Sequence, residues 1–159
     1  MARIPGMRRA HPILLGGLLA GALDIAAAFA MSWPRVGPTR VLQSIASGLI
    51  GRAAYQGGAP TAAFGLALHF TIALSAAAIY YAASRRWVVL RTRWVACGLA
   101  YGVVVYLVMN LVVLPLSRIG FRVPPWSTVA LLVVIHMVCV GLPIAWAAAR
   151  ARATRPGRA

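Results

Sequence analysis

Apolar positions fall into four long blocks, Ile13–Met31, Thr61–Ala83, Val95–Leu116 and Ser127–Ala149, separated by shorter polar connections. The blocks are 19, 23, 22 and 23 residues long. A helix rises about 1.5 Å per residue, so about 20 apolar residues cross the hydrocarbon of a bilayer. The pattern predicts an all-α, polytopic membrane protein, a single membrane domain over 1–159 built as a four-transmembrane-helix bundle. Short connections favour antiparallel neighbours.

One connection has structure of its own. Pro34, Gly37 and Pro38 break the first helix. A short helix is then expected over about 39–54, with Val41, Leu42, Ile45 and Leu49 on one face and Arg40, Gln43, Ser44, Ser47 and Arg52 elsewhere. An amphipathic helix of this kind is expected to lie at the interface; a lid or re-entrant element over a cavity is the alternative. Trp33, Trp87, Trp94, Trp126 and Trp146 all fall at or near block ends, the headgroup level that Trp prefers.

Composition narrows the class. The chain is 62% hydrophobic and 11% charged, with mean hydropathy +0.83. That leaves too little polar surface to coat a water-soluble fold. The net charge is +15, yet all 16 basic residues are Arg and none lies inside an apolar block. No basic stripe with interleaved aromatics suggests nucleic acid. The arginines instead follow the positive-inside pattern: with both termini cytoplasmic, the inner segments hold 11 and the outer segments 5. The partners implied are the lipid bilayer and anionic headgroups at the cytoplasmic face, and a homo-oligomer or membrane-protein partner stays open. The tail 150–159 is polar, basic and expected to be disordered.

Two further features need weighing. Ala28-Phe29-Ala30 after an apolar run resembles a signal-peptidase site, but the run is long and holds Asp24 and three glycines, which favours a retained span. Cys97 and Cys139 are expected at different depths, too far apart for a disulfide, and neither stands in CxxC spacing.

The chemistry concentrates on Asp24, the only acidic residue of the chain, in the middle of the first block. A carboxylate at that depth is costly and calls for a partner. The candidates are His69, Asn110 and His136, one in each later block. Counted from block centres, all four fall roughly 3–7 Å outward of the midplane, a candidate intramembrane polar cluster. Gly17, Gly21 and Asp24, then Gly65 and His69, then Gly98 and Gly102 leading to Asn110, keep helical spacing. Small-residue stripes let helices approach closely, so these glycines are read as helix-packing positions.

The residues leave three functions open. The first is a non-enzymatic protein acting through helix or lipid contacts. The second is a proton- or solute-coupled carrier using Asp24 with the histidines, the usual material of a proton relay. The third is a metal- or haem-binding protein with His69 and His136 as ligands, although no HExxH-type spacing supports a metal site. No GxSxG or other nucleophile motif suggests an enzyme, so no catalytic residue, cofactor or metal is assigned.

Gly16–Gly21 (GGLLAG), His69, Gly98–Gly102 with Asn110–Pro115, Pro124-Pro125 and His136 together resemble the YagU-like group of small bacterial inner-membrane proteins. The resemblance covers the four apolar blocks and not the loops. It implies a bacterial inner-membrane location and no particular activity. The long connection differs, and Asp24 has no counterpart in the resemblance.

Overall fold

A computed structural model describes residues 11–33, 35–120 and 125–151. Arg3, Arg8, Arg9, Arg122, Pro124 and the tail arginines Arg152, Arg155 and Arg158 lie outside the described residues. Six helices carry the fold: α1 Pro12–Ser32, α2 Pro38–Ile50, α3 Gly58–Arg86, α4 Val89–Thr92, α5 Trp94–Leu116 and α6 Trp126–Arg150. No strand occurs among the described residues. Four of the helices, α1, α3, α5 and α6, are long and apolar enough to cross a membrane.

Local chemistry explains the boundaries. Pro12 and Pro38 stand in the first turns of α1 and α2, where a missing N–H costs nothing. α2 stops at Gly51, whose φ of +68° favours glycine, and a 3-10 turn, Gly51–Tyr55, leads into α3. Arg85 and Arg86 occupy the last turn of α3, where cations face the negative end of the helix dipole. Arg150 ends α6 with its guanidinium 4.2 Å from the Trp146 ring centroid, so the helix claims the first residue of the expected basic tail.

Two of the long helices are not uniformly α. Met109–Val113 in α5 and His136–Gly141 in α6 form π turns, each just before a proline, Pro115 and Pro143. Proline clashes with the carbonyl four residues back, and a wider turn relieves that clash without ending the helix.

The helices pack in antiparallel pairs. On α1, Gly17 lies against Leu74 and Gly21 against Phe70 of α3. On α5, Gly98 lies against Ala145 and Gly102 against Met137 of α6. A Cβ on Gly102 would fall 2.7 Å from the His136 carbonyl carbon, so only glycine permits this approach. The adjacent Gly16 faces α6 instead, against Ala147, so one Gly-Gly pair serves two interfaces.

The core is made of small residues. Ala20, Ala76, Ala77, Ala145 and Ala148 are buried around Tyr80, Val140 and Ile144. Large apolar residues such as Ile79, Leu111 and Val134 point outward and are mostly exposed. This inverts the soluble pattern, as expected where the surroundings are hydrocarbon. Tyr80 and Tyr101 meet edge-to-face at 4.9 Å, and their hydroxyls donate to the carbonyls of Leu90 and Ala76, each at 2.8 Å.

α2 is docked, not isolated. Gln43, Ala46 and Ser47 are its buried residues, and its main contact is α3. The apolar face expected from sequence is only partly used: Leu49 is 58% exposed while Gln43 is 3% exposed. The reason is Gly65, which lets α2 come so close that a Cβ there would collide with the Leu42 carbonyl. Gln43 then reaches the start of α3, where its Nε2 donates to the Gly58 carbonyl at 3.1 Å and Thr61 Oγ1 at 3.4 Å.

Candidate functional site

Toward the α2 end from the alanine core, the four long helices line a partly open cavity of about 300 Å³. Every long helix contributes: Asp24 from α1, His69 from α3, Val105 and Met109 from α5, and His136 from α6. α2 adds Val41, Ser44 and Ile45 to the wall. On each long helix the cavity residues lie beyond the core residues in the same direction, so the tight packing of Ala20, Tyr80 and Ile144 closes the other side.

Asp24, His69 and His136 are each half-buried. His69 Nε2 lies 2.9 Å from the Gly21 carbonyl. A carbonyl only accepts, so Nε2 carries the proton and donates. That bond ties α3 to α1 one turn before Asp24. His136 Nδ1 lies 2.8 Å from the Leu132 carbonyl of its own helix and donates there, which fixes the opposite tautomer. The Tyr106 ring meets the His136 ring edge-to-face at 5.4 Å. Each imidazole therefore has one nitrogen anchored on backbone and one left for chemistry, Nδ1 of His69 and Nε2 of His136.

No hydrogen bond or ion pair joins Asp24 to either histidine or to any other described residue. The three share a cavity wall without pairing. Asn110 is placed differently. Its Nδ2 donates to the Tyr106 carbonyl at 2.9 Å, and it does not line the cavity. Its neighbour Met109 does, and one residue further is roughly a quarter-turn round the helix. Depth alone put Asn110 beside the others; its position around the helix axis takes it away.

Two contributors are not evident in the sequence. Ser44 falls on the polar side of α2, yet it lines the cavity. Gly141 abuts Gly98 and Gly102 so closely that a Cβ would collide with the Gly98 carbonyl. The Gly141, Ala145 and Ala148 spacing was a readable signal for the last of these. Both cysteines are free, and Cys97 Sγ sits 3.6 Å from the Val89 carbonyl. Among the described residues, no three of His, Cys, Asp and Glu converge as a metal-binding group.

Compared with protein-family models, curated proteins and solved structures, the chain finds no match in any of the three.

Proposed function

We propose that this chain is a non-enzymatic integral membrane carrier that moves protons through the Asp24–His69–His136 cavity. One observation carries the reading: the chain's only carboxylate and both histidines of the long helices line a single cavity from three different helices. Titratable groups at membrane depth are expensive, and they mark substrate or ion pathways and proton relays. A cavity of about 300 Å³ is at the lower end of small-molecule sites. The π turn that carries His136 fits the same reading, since such turns recur at functional sites.

The setting proposed is a four-helix bundle in a bacterial inner membrane, with both termini cytoplasmic and α2 at the outer interface. The arginine distribution and the resemblance to the YagU-like group support it. Anionic headgroups then meet the cytoplasmic arginines. Action through helix or lipid contacts is a second reading, favoured by the exposed apolar faces at Ile79 and Leu111.

The proton itself is the probe that tests the carrier. Proteoliposomes with an internal pH dye and an imposed potassium diffusion potential should acidify faster than protein-free vesicles. Asp24→Asn should remove the difference. Equal rates with and without protein would overturn the carrier and leave the contact reading.

A further inference from the structure

A second pocket, of about 390 Å³, lies on the other side of α2 and includes Arg52, Arg118, Ser47, Tyr55 and Gly51 in its lining. Ser44 stands in the wall of both this pocket and the Asp24 cavity, so the two are neighbours across α2. We infer that Arg52 and Arg118 together hold a phosphate-class anion here, either the phosphodiester of a lipid headgroup or a soluble phosphate group.

The two arginines are brought together by the fold. Arg52 sits on the 3-10 turn after α2, and Arg118 follows the end of α5, 66 positions later in the chain. The Arg118 backbone N–H donates to the Gly48 carbonyl at 2.9 Å, which pins the segment after α5 onto the end of α2. Its aliphatic stem then crosses Gly51: a Cβ there would fall 3.4 Å from Arg118 Cδ. Glycine at 51, already favoured by its positive φ, also leaves the room for that stem.

Arg52 and Arg118 are both exposed and border one pocket, and the chain brings no acidic side chain to pair with them. Asp24 is the only acidic residue, and it lines the other cavity. The Ser47 hydroxyl is committed to the Ser44 carbonyl at 2.6 Å. Neither guanidinium hydrogen-bonds within the described residues. Planar guanidinium forks match the tetrahedral oxygens of phosphate better than a point charge does. The pocket is larger than inorganic phosphate requires, which leaves room for a substituent on the phosphate. It lies beside the end of α5 and the start of α3, at the end remote from His11 and Arg150, where a headgroup would sit with the four long helices spanning a bilayer.

The test uses the full chain purified in detergent. One arm titrates inorganic phosphate and reads the shift in Tm. The other titrates short-chain phosphatidylglycerol against the matching diacylglycerol, which lacks the phosphate, and counts bound lipid by native mass spectrometry. Saturable binding in the phosphate arm assigns a soluble phosphate; binding confined to the phosphatidylglycerol arm assigns a headgroup; either supports the site. The double variant R52Q/R118Q should weaken that binding by about tenfold or more. R85Q/R86Q, with the same charge change at the opposite end, should bind as the wild type. R52K/R118K keeps the charge without the fork, so it tests the site even if the glutamine pair fails to elute as a single species; it too should bind more weakly. No binding in either arm, or equal losses in the Arg52/Arg118 and Arg85/Arg86 pairs, overturns the inference.

Discussion

His69 donates its Nε2 proton to the carbonyl of Gly21, at 2.9 Å, across the α1–α3 interface. The approach depends on Gly21 having no side chain, since a Cβ there would lie 2.7 Å from the Phe70 ring. This one contact places a histidine at the edge of the Asp24 cavity and fixes which of its nitrogens faces chemistry.

The two histidines should therefore respond differently to the same substitution. His69→Phe removes a hydrogen bond between helices and should cost about 1 kcal/mol in reversible detergent unfolding. His136→Phe removes a bond within its own helix and keeps a ring against Tyr106, so its stability should stay within about 0.5 kcal/mol. Equal costs would mean that the Gly21 contact does not hold α1 to α3.

Close approach of backbones makes a second prediction. Gly65→Leu puts a side chain into the Leu42 carbonyl, and overpacking of this kind costs about 1–3 kcal/mol or more. Gly37→Ala meets nothing within 4 Å and should be neutral. Melting temperatures of the two variants in detergent check the contrast. A tolerated Gly65→Leu would show that α2 does not dock there.

Gln43 supplies a third. Its amide ties α2 to the start of α3, so Gln43→Leu should cost about 1 kcal/mol and raise amide hydrogen exchange around Gly58 and Thr61. In a cysteine-free background, a cysteine at Arg40 should label with a water-soluble reagent while one at Gln43 resists. Equal labelling of both positions would mean a detached α2.

Much of this was legible in the sequence because hydrophobic length is nearly independent of tertiary detail. α1, Pro12–Ser32, extends its apolar block by one residue at each end. α3 begins at Gly58, ahead of the block, because Pro60 is harmless in a first turn. What the sequence hid depends on rotation about a helix axis. Depth could be counted from block centres, but whether Asn110 or Met109 faces inward turns on one residue of rotation inside a π turn. The burial of Gln43 is hidden for a similar reason. Its polarity assigned it to water, while a glycine on another helix made room for it and backbone carbonyls gave it a partner.

The most direct test of the central claim uses the singularity of Asp24. The chain has no other acidic side chain, so carboxyl-13C aspartate gives one side-chain resonance in the folded protein. Followed by NMR in nanodiscs, that resonance should shift on His69→Phe and again on His136→Phe, because all three groups line one cavity. A resonance that neither substitution moves while the protein stays folded would contradict a site built from these three residues.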